Sequence, residues 1–473
     1  MPLKNHNAEP AASPSATLFV VSVVQFLTPF MFSAVGVALP AIGSEFSASA
    51  VQLGLVEMVY ILAVALLLLP AGRFADIHGR RRVFMAGTLL ITLATVVLPL
   101  AQNMAFFIAL RFLQGAGAAL ITATSIAILS SVFPPEKRGK AMGIVVACVY
   151  VGLSAGPTLA GVMVTHLGWR WIFYTAVPME LAALLLAQIK LNGEWAEARG
   201  QRFDWQGSLI YMGALFALIF GTTHLREWAP APWIAAAGLM GILFFIRFEA
   251  KTDSPLLDVR LLAENRTFTF SNIAVLINYA ASLGIVFLFS LYLQVVKGLS
   301  PQSTGLILVV QPAIQAAFSP LAGVLSDRYP PERIATIGMG LCAAALAIAA
   351  TLQANTPLTT VGIVLSLLGV GFGLFSTPNM TAIMGCVEPR HYGVAASMIA
   401  TMRSAGMLAS MTTITVILSL YLKDAPVNVE NRMAFLAAMH TALVVFSGLS
   451  GVGILFSMGR LRPPRKSANR EPS

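Results

Sequence analysis

Long apolar runs with few charged residues alternate with short polar segments along the whole chain. A helix needs about 17–25 mostly apolar residues to cross a bilayer. Fourteen such windows lie near residues 17–39, 52–71, 83–101, 105–129, 141–163, 171–189, 207–224, 232–248, 268–293, 303–325, 334–352, 357–382, 393–418 and 436–458. The pattern predicts an all-α polytopic membrane protein, in which the seventh and eighth spans are short.

The polar segment between the second and third windows is the most distinctive in the chain. It covers residues 72–82 and contains Asp76, Gly79 and three successive arginines. A charge at the bilayer centre costs at least ~3 kcal/mol, so this segment must form a turn in water.

Two pairs of similar segments indicate an internal duplication. A shorter version of segment 72–82 follows the tenth window at 323–328, and segments 134–143 and 388–397 follow the fourth and twelfth windows. Within each pair the two copies lie eight spans apart. Such repeats are typical of membrane transporters.

Composition and charge agree with a membrane protein of defined orientation. Apolar residues make up 57% of the 473 residues and charged residues only 11%, which no soluble core requires. With the amino terminus in the cytoplasm, 23 of the 30 basic residues fall on cytoplasmic segments and five on external ones. This bias predicts two cytoplasmic termini. The net charge of +10 therefore needs no nucleic-acid partner, and the basic residues at 460–470 are expected to touch anionic lipids.

Several classes of function are disfavoured. The first ~15 residues are polar and the next run is long enough to span, so no cleavable signal is expected. Three cysteines (Cys148, Cys342 and Cys386) lie in or at the end of spans without metal-ligand spacing, which predicts packing roles. The chain lacks the nucleotide-binding pattern G-x-x-x-x-G-K-[ST]. We therefore expect no metal, no cofactor and no enzymatic activity.

Segment 72–82 resembles the loop between helices 2 and 3 of the major facilitator superfamily of transporters, G-x-x-x-D-x-x-G-R-[RK]-[RK]. Residues 111–119 resemble the family's span-4 pattern R-x-x-Q-G-x-G-A-A, and residues 152–161 its span-5 exporter signature G-x-x-x-G-P-x-x-[GA]-G. Weaker matches are residues 168–174 with Pro178, 203–207, 255–261, Gly369, Gly371, Gly373 and Pro378, and Arg403 with Gly406. Together they cover essentially the whole chain and resemble the fourteen-helix branch, in which drug:proton antiporters dominate.

The resemblance also implies an organisation. Ordinary members have twelve helices and repeat after six, so a repeat after eight implies two inserted spans. The expected layout is a cytoplasmic tail (1–16), a six-helix bundle (17–189), linkers with two inserted helices (190–266), a second six-helix bundle (267–458) and a basic cytoplasmic tail (459–473).

In the family, the loop after span 2 is understood as a conformational latch. Charge-assisted hydrogen bonds among Asp76, Arg80 and Glu136 would hold the loops in one conformation and release them in another. The candidate latch residues are Gly72, Asp76, Gly79, Arg80, Glu136, Asp327 and Arg328. The alternative is that the arginines only set topology and solvate the turn.

Ionisable residues inside spans are candidates for coupling or for the substrate cavity. Glu57 and Arg111 both lie about six residues inside the outer ends of their spans, hence ~9 Å deep at ~1.5 Å per residue. We predict that they pair, or that substrate or proton exchanges between them; the alternative is that each snorkels to the interface. Gln114 shares the motif of Arg111, and Arg403 is deep enough in span 13 to need a partner.

Glu180 is a further candidate, near the middle of span 6 and two residues after Pro178. Span 6 resembles a peripheral scaffold helix of the family. The alternative is therefore burial against span 5, or a local kink.

The exporter signature comprises Gly152, Gly156, Pro157 and Gly161. Proline bends a helix by removing a backbone hydrogen bond, and glycine permits close helix contact. In exporters this segment is thought to shape the rocking interface, although small residues also serve plain packing.

One departure from the family concerns the coupling ion. Antiporters of this branch often carry Asp and Asn in span 1, where this chain has Met31 and Gly36. Glu57 is the substitute that we propose for the missing carboxylate.

The expected function is secondary active, proton-coupled efflux of small amphipathic or lipophilic compounds by rocking of two bundles around a midplane cavity. The alternatives are a dedicated exporter of one metabolite, lipid or siderophore, and a non-transporting membrane sensor on the same scaffold. The expected partners are a small-molecule substrate, protons and membrane lipids. The expected form is a monomer in the cytoplasmic (inner) cell membrane.

Overall fold

A computed structural model describes residues 13–196, 198–224, 228–252, 255–256, 265–387, 392–423 and 425–459. Within these ranges all regular secondary structure is helical. Fourteen helical segments are long and apolar enough to cross a membrane, which confirms the fourteen predicted spans.

Spans 1 to 8 are single helices, apart from a short 3-10 turn that extends span 3. Their bounds are Pro14–Phe46, Ala50–His78, Arg80–Val97, Met104–Val132, Pro135–His166, Arg170–Lys190, Trp205–Thr223 and Ala231–Glu249. Span 9 is broken into Arg266–Ser282, Ile285–Leu291 and a π-helical turn Tyr292–Val296, and span 10 into Pro301–Leu308 and Val310–Arg328. Spans 11 to 14 are Pro331–Ala349, Leu358–Gly385, Tyr392–Leu422 and Arg432–Gly459.

Polar side chains begin several of these helices by satisfying free N–H groups of the first turn. Ser49 and Gln52 form a capping box at span 2, with bonds of 3.2 Å and 3.0 Å between each side chain and the other residue's backbone N–H. Asn103, Asp204 and Asn265 cap spans 4, 7 and 9 by a single bond each, in which the side-chain oxygen accepts a backbone N–H of the first turn. Local sequence therefore fixes where these spans start.

Successive spans run in opposite directions, so odd-numbered spans all start at one face of the membrane domain. We call the face at which span 1 begins the N face, and the opposite one the far face. Segments 72–82 and 134–143 and the start of span 13 lie at the N face.

Glycine contacts repeat between the two halves of the fold. A Cβ on Gly117 of span 4 would lie 2.7 Å from the carbonyl oxygen of Gly87 in span 3. Eight spans later, a Cβ on Gly338 of span 11 would lie 2.6 Å from the carbonyl oxygen of Gly371 in span 12. The same close helix pair thus occurs once in each six-helix bundle, as an internal duplication requires.

The inserted spans 7 and 8 form a pair at the side of the two bundles. They approach each other closely at Gly221 and Gly238, where a Cβ would meet the partner's backbone. The hydroxyl of Tyr211 in span 7 donates to the carbonyl oxygen of Ala65 in span 2 (2.7 Å) and anchors the pair to the first bundle. Span 8 leaves large apolar side chains exposed, as a surface facing lipid requires: Trp233 is 78% exposed.

Several contacts between the bundles lie in the far-face half of the described residues. The hydroxyl of Ser290 in span 9 donates to the carbonyl oxygen of Gly36 in span 1 (2.9 Å). The Ala50 N–H at the start of span 2 donates to the Ala425 carbonyl oxygen just after span 13 (3.2 Å). Between spans 5 and 10, a Cβ on Gly305 would collide with the backbone of Pro157. The structure is therefore closed at the far face.

A disulfide cross-link tests this closure. The backbone N–H of Gln302 in span 10 lies 3.2 Å from the hydroxyl of Thr165 in span 5. After replacement of the three native cysteines, we expect the pair Thr165→Cys and Gln302→Cys to form a disulfide upon mild oxidation. With a protease site inserted between spans 8 and 9, the halves should stay joined on a non-reducing gel. Each single variant is the control, and separated halves despite maleimide-reactive cysteines would contradict the closed far face.

Candidate functional site

Arg111 lies in span 4 with no exposed surface and is surrounded by polar partners. Its Nη2 is 3.5 Å from Oε2 of Glu57 in span 2, and its Nη1 donates to Oε1 of Gln114 (2.6 Å). Its Nε donates to the Val56 carbonyl oxygen (3.4 Å), and the guanidinium lies 4.5 Å from the centroid of the Tyr60 ring. The structure thus brings Glu57, Arg111 and Gln114 together inside the first bundle, and neither charge reaches the interface.

The hydrogen bonds continue from Gln114 to a second acid. The Gln114 side-chain amide donates to the hydroxyl of Thr95 in span 3 (3.0 Å), and that hydroxyl donates to Oε1 of Glu180 in span 6 (3.2 Å). Glu180 is 3% exposed. A continuous buried chain, which we call the acid–arginine chain, therefore joins Glu57, Arg111, Gln114, Thr95 and Glu180 across four spans.

Glu180 is buried beside spans 1, 3 and 4. It lies in a small cleft lined by Val24, Leu27, Thr28, Thr88, Ile91, Ile121 and Ala183. Ala176, Ala183 and Ala187 are buried on the same face of span 6. Their small side chains let this face approach spans 1 and 3, because residues spaced three and four apart share one side of a helix.

Each acid keeps one oxygen without a hydrogen-bond partner among the described residues: Oε1 of Glu57 and Oε2 of Glu180. The free oxygen of Glu57 points at span 1, where a Cβ on Gly36 would lie 3.9 Å from it. Gly36 occupies the span-1 position at which antiporters of the fourteen-helix branch, which this chain resembles, often carry Asn. The carboxylate of span 2 therefore occupies space beside the altered span-1 motif.

The candidate latch is built around Arg80, which is 7% exposed. Its guanidinium bonds Oδ1 of Asp76 through Nε (2.8 Å) and Nη2 (2.7 Å). Its Nη1 donates to the hydroxyl of Ser131 (2.8 Å) and to the Ala127 carbonyl oxygen (3.4 Å) in span 4. Asp76 and Arg80 therefore join the turn after span 2 to the N-face end of span 4.

The other candidate latch residues are distributed differently. Gly72 faces Ala123 of span 4, where an added Cβ would make an ordinary contact at 4.0 Å. Arg328 is exposed at the end of span 10. The side chains of Glu136 and Asp327 lie outside the described residues.

A strap that sequence reasoning missed covers the latch turn. This strap, residues 191–196 and 198–204 of the described chain, lies between span 6 and span 7. Oε1 of Glu194 accepts the backbone N–H of Arg81 (2.9 Å), and the Trp195 carbonyl accepts that of Arg80 (2.9 Å). The Ala198 N–H in turn donates to the carbonyl oxygen of Asp76 (2.9 Å). A carboxylate is favourable at this position because the first N–H groups of span 3 have no helical partners.

Gly79 is required at the centre of this arrangement for two reasons. Its φ is +116°, a conformation that disfavours residues with a Cβ. A Cβ there would also fall on the carboxylate of Glu194, 2.9 Å from its Cγ.

The exporter signature of span 5 contacts one helix in each bundle. Gly152 and Gly156 meet span 1, where a Cβ on Gly156 would lie 2.7 Å from the Phe30 carbonyl oxygen. Gly161 and the Pro157 carbonyl meet span 10 of the other bundle, at Pro301 and Gly305. One helix therefore holds the first bundle together and touches the second.

Arg403 lies apart from the acid–arginine chain, half-buried in span 13. It is close to Tyr150 of span 5, whose hydroxyl lies against Gln315 of span 10 and Ser376 of span 12, with Tyr279 of span 9 nearby. These polar residues come from both bundles and line the midplane between them. Sequence analysis singled out only Arg403, because neutral polar residues in apolar spans carry no charge signal; the spacing of Gln311 and Gln315 on one helix face was the available clue.

Comparison with known proteins agrees with this architecture. A family model described as Major Facilitator Superfamily matches residues 21–411 and, in a second match, 271–472. The chain therefore belongs to the major facilitator superfamily, a family of transporters and not of enzymes.

Individual relatives indicate to which branch of the superfamily the chain belongs. The multidrug resistance protein Stp of Mycobacterium tuberculosis strain H37Rv is 31% identical over 82% of this chain and 73% of its own length. The riboflavin transporter RibZ of Clostridioides difficile is 29% identical over 82% of this chain and 84% of its own. Such relatives place the chain in the drug-efflux branch of the superfamily.

A solved structure shows the same fold. It is the bacterial homologue of the human lysosomal transporter Spinster, in an inward-facing and unoccupied conformation. Its TM-score is 0.68 at 16% sequence identity, over 96% of this chain and 98% of that one.

The latch geometry predicts an asymmetry between two glycine substitutions. Gly79→Ala should lower the free energy of unfolding by about 1–3 kcal/mol, because the alanine is strained at φ +116° and displaces Glu194. Gly213→Ala in span 7 is the matched control, since its Cβ meets nothing within 4 Å. Thermal unfolding of both variants in detergent measures the difference. If Gly79→Ala is as stable as the wild type, the role assigned to the turn is refuted.

Proposed function

We propose that this protein is a proton-coupled exporter of small amphipathic or lipophilic compounds, which works by alternating access between two bundles. The acid–arginine chain is the observation that carries the proton coupling. It holds two carboxyl groups and one guanidinium, all nearly without exposed surface.

The charges of this chain explain how it would bind a proton. Arginine stays protonated in proteins, so the chain carries a net charge of −1 with both acids ionised and 0 with one acid protonated. A buried net charge is costly, and the neutral form with one proton avoids that cost. Because Gln114 and Thr95 connect the acids, a proton on one carboxyl group affects the charge that the other can bear.

Glu57 is the acid that exchanges the proton in this proposal. Its free oxygen faces Gly36, and the Gly36 carbonyl accepts the hydroxyl of Ser290 from the second bundle. A change in the charge of Glu57 would therefore alter the electrostatic environment of the Gly36–Ser290 hydrogen bond, which must break when the far face opens. Glu180 lies deep inside the first bundle and serves as the second carboxyl group of the chain.

The present conformation fits the part of the transport cycle in which an exporter is closed to the outside. With the N face in the cytoplasm, the closed far face separates the midplane residues from the external side. The Asp76–Arg80 pair and the strap then act as the latch, holding the turn between spans 2 and 3 against span 4. Release of these charge-assisted bonds would accompany rocking of the bundles.

The substrate range has two candidates, each supported by a relative. Similarity to the multidrug resistance protein Stp favours several amphipathic compounds. Similarity to the riboflavin transporter RibZ favours a dedicated exporter of one metabolite. A panel of dyes and metabolites in inverted membrane vesicles separates them, and a non-transporting sensor would move none of the panel.

We further propose a monomer in the cytoplasmic membrane with both termini in the cytoplasm. Reporter domains fused after Arg202 and after Arg266 should both read cytoplasmic, because these positions follow spans 6 and 8. A fusion in the loop between spans 7 and 8 is the matched control and should read external. An external signal after Arg202 or Arg266 would refute both the orientation and the inserted pair.

The coupling proposal predicts different losses for three acid variants. In liposomes, Glu57→Gln should abolish substrate accumulation driven by a pH gradient but retain substrate counterflow, because the side-chain shape remains and the proton site is lost. Glu180→Gln should weaken the same accumulation, because the chain then has one carboxyl group fewer.

Glu45→Gln is the control for this experiment. Glu45 is a partly exposed acid outside the acid–arginine chain, and it pairs with Arg170 at the far face through two hydrogen bonds of 2.6 and 2.8 Å. Its variant should accumulate substrate normally. If Glu57→Gln still concentrates substrate at the expense of a pH gradient, Glu57 is not the coupling site.

A further inference from the structure

Two arginines, Arg111 and Arg403, lie inside the spans of this protein, and within the described residues only Arg111 has a carboxylate partner. Arg111 is paired with Glu57. Arg403 has no carboxylate within ion-pair distance among the described residues. It sits eleven residues after the start of its helix, hence ~16 Å from that end at ~1.5 Å per residue.

The sequence of the second bundle offers Arg403 no acid from within a span. The acidic residues between positions 267 and 458 are Asp327, Glu332, Glu388, Asp424 and Glu430. All five lie at the ends of spans or in loops, by their positions along the chain. The charge of Arg403 is therefore not compensated by an acid within a span of this half of the protein.

The other side chains that interact with Tyr150, the first-bundle residue that Arg403 faces, are neutral. Tyr150, Gln315, Ser376 and Tyr279 supply two hydroxyl-bearing rings, an amide and a hydroxyl. The Tyr279 ring packs edge-on against Phe372, with centroids 5.6 Å apart. Such a lining offers hydrogen-bond donors to a charged group and aromatic surface to the body of a ligand.

An unsatisfied polar atom points to a ligand in the same region. Oε1 of Gln311 is buried without a hydrogen-bond partner among the described residues. Gln311 lies one helical turn from Gln315 and is 8% exposed. Buried polar groups are normally paired, so a bound molecule that supplies the missing bonds would complete this site.

We infer that the substrates of this transporter carry an anionic group, which Arg403 binds at the midplane between the bundles. This inference rests on the proposed export function and narrows its substrate class to amphipathic anions. A planar guanidinium forms paired hydrogen bonds with carboxylate, sulfonate or phosphate groups, whereas it repels a cation in a region of low dielectric constant.

Two dyes with the same xanthene core and opposite charge test this inference: fluorescein as the anion and rhodamine 123 as the cation. Binding to the purified protein in detergent is measured by fluorescence polarisation, without any gradient. We expect the wild type to bind fluorescein at least about tenfold more tightly than rhodamine 123, and Arg403→Gln to lose this preference.

Three further comparisons make the outcome decisive. Arg403→Lys should keep the preference for the anion, because the charge remains. Arg432→Gln removes an exposed arginine just after the loop between spans 13 and 14 and should change nothing. Gel filtration shows whether Arg403→Gln is folded. Equal binding of both dyes by the wild type, or an equal loss of both in folded Arg403→Gln, overturns the inference.

The readout separates this inference from the coupling proposal. Dye binding needs no proton gradient, so Glu57→Gln should keep the preference for fluorescein even if it abolishes uphill transport. If the wild type prefers fluorescein but shows no transport driven by a pH gradient, the substrate class is supported and proton coupling is refuted. If the wild type shows such transport but no preference between the dyes, only the substrate class is refuted.

Discussion

The arrangement of the first bundle depends on one guanidinium that has no contact with water. Arg111 must satisfy its charge and its donors inside the protein, because an unpaired charge in a low-dielectric interior is prohibitively costly. It does so with Glu57, Gln114 and the Val56 carbonyl. Gln114 then recruits Thr95, and Thr95 recruits Glu180. One charge thus fixes the relative positions of spans 2, 3, 4 and 6, and it places two carboxyl groups in one network.

A second constraint operates at the N face, where the chain must turn sharply in water between spans 2 and 3. Gly79 makes the turn, Arg80 ties it to span 4 through Ser131, and the strap closes over it through Glu194. The strap leads directly into span 7, whose Tyr211 is bonded to span 2. The strap therefore connects the inserted helices to the turn between spans 2 and 3, and Tyr211 connects them to span 2 itself. Movement of the turn would be transmitted to the inserted pair.

The two intramembrane arginines have different surroundings and different consequences. Arg111 is enclosed within one bundle and is neutralised by a carboxylate of that bundle. Arg403 lies between the bundles among neutral donors, close to Tyr150 from the opposite half. A charge satisfied internally holds a structure together, whereas a charge left open between moving parts is available to a ligand. This difference is the reason why we propose a coupling role for the surroundings of Arg111 and a substrate-binding role for Arg403.

The sequence by itself determined the number of spans, the superfamily and the position of the polar turn between spans 2 and 3. Hydropathy, repeated glycine and arginine motifs and helix caps are local signals, and the membrane forces each apolar run into a helix. The tertiary structure alone decided which polar groups meet. Thr95 and Glu180 are 85 residues apart, and Glu194 reaches Arg81 across 113 residues. The burial of Glu180 against spans 1 and 3 also depends on which face of span 6 turns inward. Such pairings follow from how helices pack around the buried charge, and no periodicity along the chain encodes them.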